Sequence, residues 1–155
     1  PHLQKVKQSL AQNGEAINII ATMNAGFIPK EHWVHDLESG GGRIIGEACH
    51  LIDVCVFLSG SLIESVCMNN LGESSDSVTD NASILLKFQN GSNAVINYFS
   101  NGSKKYSKER VEVYSNERTW ILDNYRSTKT YGVRATTLNK PLAEALLCMD
   151  DQTQL

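Results

Sequence analysis

The chain has 155 residues, 41% of them hydrophobic and 20% charged, which is enough for one domain to bury a core without a disulfide or metal staple. That balance excludes disordered and fibrous classes. The net charge of −3 leaves no basic footprint for nucleic acid or an anionic membrane, and Lys104, Lys105 and Lys108 read as a solvated turn.

Residues His2 to Gln12 carry Leu3, Val6, Leu10 and Ala11 at helical spacing, and Asn13-Gly14 supplies a stop. "EAINIIATMNAGF" alternates, with Ile17, Ile19 and Ala21 on one face and Asn18, Ile20 and Thr22 on the other, so it reads as a strand. The segment "GFIPKEHWVHDLESGGG" fits neither period and reads as a loop. A helix is expected from Arg43 to about Ser59, ended by Gly60.

Beyond Gly60 the pattern turns strand-like. "LIESVCMNNLG" is one candidate, and "DNASILLKFQ" and "SNAVINYFSN" pair around Asn90-Gly91, a strong hairpin signal. "ERVEVYS" and "RTWILDNY" pair around Asn116-Glu117, and "STKTYGVR" adds another strand. A short amphipathic helix is expected from Pro141. Consecutive antiparallel strands after a buried helix predict an α+β fold: an open, mostly antiparallel sheet with helices packed on one face. Ile84, Leu86, Val95 and Ile96 are expected to supply an exposed apolar sheet face.

Cys49, Cys55, Cys67 and Cys148 show no CxxC spacing, and three of them sit in apolar runs. They read as reduced, buried thiols, which predicts a cytoplasmic protein. No charged-then-apolar leader opens the chain, and no apolar run reaches the ~18 residues that span a bilayer. Because the first residue is Pro1, the chain is expected to be a fragment or a processed product.

The chemistry concentrates in "ESGGGRIIGEACHLIDVCVFLSG". On an uninterrupted α-helix Arg43, Glu47, His50 and Asp53 fall within an arc of about 120°. Two readings are open: an internal network in which Arg43 pairs with Glu47, or a substrate-facing stripe in which a histidine beside acids moves protons near neutral pH. Glu47 and His50 form an ExxH pair, but a di-iron site needs a second ExxH and further glutamates, so no metal ligand is assigned. Cys49 and His50 point about 100° apart, against a nucleophile dyad. Gly40 to Gly42 lack both the P-loop Lys-Ser/Thr and the GxGxxG spacing, and read as a close-packed helix entry. In the preceding loop His32, Trp33 and His35 are polar-tipped rings of the kind found in small-ligand pockets, with Trp33 as a core plug the bland alternative.

Taken together, "GGGRIIGEACHLIDVCVFLSG", "NAGFIPKEHW" and the run of strands from Asn81 to Tyr125 resemble the C-terminal domain of the glucose-fructose oxidoreductase and inositol dehydrogenase family (Gfo/Idh/MocA), in the branch associated with bacterial surface-polysaccharide sugars. The resemblance covers residues 1 to about 132. It implies a dihydrodipicolinate-reductase-like C-terminal domain that binds substrate and pairs subunits through its sheet. An N-terminal Rossmann domain, absent from residues 1–155, would hold NAD or NADP, so no cofactor ligand is assigned here. The resemblance makes His50 the catalytic histidine that assists proton removal from a sugar hydroxyl, with Glu47 tuning or orienting it. Asn24, His32, Trp33, Arg43 and Asp53 are expected on the substrate side. The family's acid four residues before the histidine is Gly46 in this chain, and Glu47 stands one position later. The partners implied are a sugar or nucleotide-sugar, the chain's own nucleotide-binding domain and a second copy. Alone, the chain is expected not to turn over; the rival reading is a non-catalytic oligomerisation module.

Overall fold

The computed structural model describes residues 2–11, 15–36, 38–72 and 79–133. The helix expected from Pro141 and the cysteine at 148 lie outside these residues. Helix α1 (His2–Ala11) precedes β1 (Asn18–Asn24). After the loop come helix α2 (Cys49–Ser59) and six strands: β2 (Ile63–Asn70), β3 (Asn81–Phe88), β4 (Asn93–Phe99), β5 (Glu109–Ser115), β6 (Arg118–Asp123) and β7 (Ser127–Tyr131). The strands form one sheet in the order β2-β3-β4-β1-β5-β6-β7. Its neighbours are antiparallel except β1 and β4, because β1 is inserted between two hairpin systems that follow it in sequence.

Alternation decides which side of each strand is buried. Ile19, Ala21 and Met23 of β1 share the covered face with Ile84, Leu86 and Phe88 of β3 and Ala94, Ile96 and Tyr98 of β4, and all are buried. Val111, Val113, Trp120 and Leu122 continue this layer, and Val6 and Leu10 of α1 and Leu51, Cys55 and Leu58 of α2 close it from above. Each such large apolar side chain contributes about 1.5–3 kcal/mol by leaving water.

The expectation for the exposed sheet face is therefore corrected. Ile84, Leu86 and Ile96 point under the helices, at 4%, 0% and 0% exposure, and of the four residues only Val95 belongs to the open face. Strand period two puts neighbours in sequence on opposite faces, so one list had mixed both. The open face instead carries Leu85, Val95 and Ile20 in register across β3, β4 and β1. The thiol expectation is also corrected: Cys55 is buried, whereas Cys49 and Cys67 are exposed. Burial alone pushes the Cys55 thiol up to about 12.

Turn chemistry follows the sequence. Gly91 takes φ 84° at the β3–β4 turn, and Asn116 and Glu117 both take positive φ between β5 and β6, the type I′ pattern. Gly60 ends α2 in the left-handed region, with its N–H donating to the Val56 carbonyl at 2.9 Å. Lys7 of α1 donates to the Leu58 carbonyl at 3.0 Å, placing a cation at the negative end of α2.

Candidate functional site

The triglycine segment is a steric device. Gly41 and Gly42 have φ of 67° and 78°, and a Cβ on Gly40 would meet the Trp33 and Val34 carbonyl oxygens at 2.6 Å. Gly40 and Gly41 both donate their N–H to the Asp36 carbonyl, so these amides hold the loop instead of a phosphate. Ser39 and the Glu38 amide also bond the Asp36 carboxylate, which lies below its usual pKa because the Ser39 hydroxyl donates to it.

The helix expected from Arg43 begins differently. Ile44–Ala48 forms a π-helical turn, and only from Cys49 does the chain become α-helical. A π turn closes i→i+5 bonds and so shifts every later side chain around the axis relative to an α-helical wheel. As a result the four polar residues do not share one face. Arg43 is turned inward with 1% exposure, Glu47 is intermediate at 29%, and His50 and Asp53 are exposed.

At Arg43 the internal network is what forms. Its Nη1 donates to the Gly26 carbonyl at 2.7 Å, Nη2 to the Ala25 carbonyl at 3.3 Å, and Nε to Glu47 Oε1 at 3.1 Å. Asp80 Oδ2 stands 3.7 Å from Nη1, and the guanidinium lies 5.5 Å from the Tyr98 ring centre. A buried cation is tolerable only with such partners, and a planar fork of donors suits two carbonyls and two carboxylates at once. Burial holds the Tyr98 phenol above its ordinary pKa, Arg43 opposes this, and Glu47 and Asp80 add to it. Arg43, expected on the substrate side, is buried here and fastens the end of β1, the helix entry and the residue before β3 to one another.

Loop residues separate into two groups. His32 Nδ1 accepts from the Val34 N–H at 3.3 Å, its ring lies 5.7 Å from that of Trp33, and Trp33 is 63% exposed, so it plugs no core. His35 instead turns in, with Nδ1 3.5 Å from Asp80 Oδ1. Asn24 leaves the strand on the open-sheet side, where its Nδ2 donates to the Ser103 carbonyl at 2.7 Å and Gly102 leaves no room for a Cβ against it. The structure thus brings Glu47 and His50 to adjoining turns of one helical segment and Asp53 one turn further, while Asn24 stands on the other side of the sheet from them.

Sequence reasoning passed over Asp80 and Tyr98. Asp80 precedes β3 and Tyr98 is an inward position of β4, and only the β3–β4–β1 topology carries them to Arg43. A further polar clamp joins the same strand ends, with Asn81 Nδ2 donating to Ser100 Oγ at 3.0 Å and the Ser100 N–H to Asn81 Oδ1 at 2.9 Å. Beside it a groove of about 800 Å³ is lined by Phe27, Lys30, His35, Leu71, Asp80 and Asn101 among others.

Among the described residues no three His, Cys, Asp or Glu side chains come together as a metal site, and no helix is long and apolar enough to cross a membrane. The described residues do not fit a dinucleotide: two of the three triglycine amides, those of Gly40 and Gly41, are already bonded to the Asp36 carbonyl, and the parallel pair β1–β4 is not joined by a glycine-rich turn of the GxGxxG type.

Solved structures share this architecture. An NAD-binding protein from Listeria innocua matches with a TM-score of 0.65 and 27% identity, over 83% of this chain and 38% of its own. An NAD-binding oxidoreductase from Klebsiella pneumoniae gives 0.68 and 22%, over 81% and 39%. The WlbA dehydrogenase from Bordetella pertussis, solved with NADH and UDP-GlcNAcA, gives 0.67 and 18%, over 88% and 44%. The chain therefore spans less than half the length of each of these proteins. No curated protein matches it closely in sequence. The GFO/IDH/MocA C-terminal domain model matches residues 3–121, most of the ordered sheet and both helices, and the chain belongs to that family as its C-terminal domain.

Proposed function

We propose that this chain is the substrate-side and subunit-pairing half of an NAD(P)-dependent sugar oxidoreductase, acting in the cytoplasm on a sugar or nucleotide-sugar that serves as a precursor of surface polysaccharide. The observation that carries it is the exposure of His50 at the first turn of α2, next to a Glu47 carboxylate that Arg43 holds from behind. A histidine in that setting accepts a proton from a substrate hydroxyl, and the adjoining carboxylate orients the ring or steadies its charge. Asp53, His32 and Trp33, all exposed, are proposed on the substrate side of the same surface.

The cofactor would be held by a nucleotide-binding domain outside this chain, and it would supply the hydride acceptor. Support for such a domain lies on the outer side of the helical segment, where Ile45 is 72% and Phe57 41% exposed. These two side chains are apolar surface that a docked domain would cover. For pairing with a second copy, the support is the Leu85–Val95–Ile20 row on the open sheet face, at which Leu85 is 51% and Ile20 38% exposed.

The deciding experiment uses the protein joined to its nucleotide-binding domain. There His50→Ala should lower turnover by about 10²-fold or more while leaving subunit association intact. Equal turnover in that variant would remove the acid/base assignment and favour a pairing module without chemistry. For this chain alone, NAD(H) should leave the melting temperature unchanged, since only a ligand that binds the native state raises it.

A further inference from the structure

We propose that Asn101 is a site of spontaneous covalent modification, at which the residue becomes isoaspartate or aspartate without an enzyme. The reaction requires only water, so it does not depend on the oxidoreductase reading. The tripeptide Asn-Gly-Ser occurs twice in the chain, at residues 90–92 and 101–103. Asn90 and Asn101 are both exposed, and so are Gly91 and Gly102. Local sequence and access to water are therefore alike at the two sites. What differs is hydrogen bonding.

At the first site every reacting group is held. Asn90 Nδ2 donates to the Ser59 carbonyl at 3.1 Å, Asn90 Oδ1 accepts the Ser92 N–H at 3.1 Å, and the Gly91 N–H donates to the Phe88 carbonyl at 3.0 Å. At the second site the same groups are open: neither the Asn101 carboxamide nor the Gly102 N–H bonds to any described residue. The loop is anchored only one residue later, where the Ser103 carbonyl accepts from Asn24 Nδ2 at 2.7 Å and from the Tyr106 N–H at 3.0 Å. Packing also requires glycine at 102, since a Cβ there would run into the Asn24 carboxamide. The fold thus demands, after Asn101, the one residue type whose backbone nitrogen no side chain shields.

The chemistry balances. The Gly102 nitrogen bonds to Asn101 Cγ, the Cγ–Nδ2 bond breaks, and the NH2 group leaves as ammonia with the proton that Gly102 lost. A succinimide ring results, which water opens at either carbonyl. Opening at the backbone carbonyl gives isoaspartate, whose Cβ lies in the main chain; opening at Cγ gives aspartate. Nothing is oxidised or reduced, and a neutral amide becomes a carboxylate. The added main-chain atom of isoaspartate moves Gly102 off the Asn24 carboxamide and loosens the Asn24–Ser103 bond. The new charge falls at the rim of the open sheet face, in a groove shared with Phe99 and Tyr106. That rim lies clear of the proposed pairing row, because Val95 and Phe99 alone are about 13 Å apart along β4.

The test is incubation of the native chain in mildly alkaline buffer, followed by peptide mapping with chromatography and mass spectrometry that separate asparagine, aspartate and isoaspartate. Asn101 should convert at least about 10-fold faster than Asn90, since three hydrogen bonds must open before Asn90 can react. In concentrated urea the two sites should convert at similar rates, because only the fold distinguishes them. The Asn24 side-chain NH2 should exchange faster with solvent in the aged chain than in Asn101→Asp, which carries the charge without the added main-chain atom. An Asn101 that stays intact overturns the proposal, as does conversion of Asn90 at the same rate in the native chain. An undiminished preference for Asn101 in urea also overturns it, by placing the cause in sequence.

Discussion

The inner and outer sides of the segment from Arg43 to Ser59 share one backbone and have opposite tasks. On the inner side Arg43, Leu51, Cys55 and Leu58 are at or near zero exposure. On the outer side Ile45, Cys49, His50, Asp53 and Phe57 meet solvent. The first set contributes to stability, and the second is available for partners and chemistry. Both sides contain charged residues and both contain apolar ones, so hydropathy alone does not tell them apart. The π-helical turn at Ile44–Ala48 does so, by rotating Arg43 away from His50.

The sharpest way to break this contrast is at its two polar ends. Arg43→Met should cost about 3–5 kcal/mol in chemical denaturation, since it leaves carbonyl and carboxylate partners buried without their cation. His50→Ala should change the same curve by no more than about 0.5 kcal/mol. Equal losses would mean that the histidine is part of the core network. An apolar pair sharpens the point: Leu51→Ala should cost about 2–4 kcal/mol through the cavity it leaves, whereas Phe57→Ala, on the 41% exposed side, should stay below about 1 kcal/mol.

The two faces of the sheet allow a pH version of the same comparison. On the open face Tyr114 donates to Glu112, and Arg110 Nε donates to it at 2.7 Å. The Tyr114 hydroxyl first, and Arg110 after it, hold the Glu112 carboxyl below its usual value of 4.5. A carboxyl whose folded pKa is lowered adds stability above the unfolded value and loses it as pH falls through the folded one. Glu112→Gln should therefore cost about 1 kcal/mol at pH 7, and the deficit should close progressively below pH 4.5. A deficit independent of pH would place the loss in packing. Smallest of all is a labelling contrast: a thiol reagent on the native chain should modify Cys49 and Cys67 and spare Cys55, as peptide mapping would read.

Much of the fold was legible because period and punctuation agreed. Alternation placed β1 and the two hairpins, Asn90-Gly91 and Asn116-Glu117 marked real turns, and Gly60 ended α2. The triglycine was legible as a close-packed entry for the same reason: only a residue without a Cβ fits against the Trp33 and Val34 carbonyls. The wheel through Arg43, Glu47, His50 and Asp53 failed because a π turn has no marker that periodicity can detect. The choice of exposed sheet residues failed because period two assigns alternate residues to opposite faces without saying which face is covered.

What the sequence determined by itself was local: which segments are helix or strand, where they turn, and that a histidine with acids sits at a helix entry. It also held enough motif to place the chain in its family. Tertiary structure alone decided the other partners of Arg43, because Gly26, Asp80 and Tyr98 meet it only when β1 inserts beside β4. The groove at Asp80 and the covered side of the sheet have the same origin. Local propensity depends on neighbours in sequence, and a buried charge depends on neighbours in space.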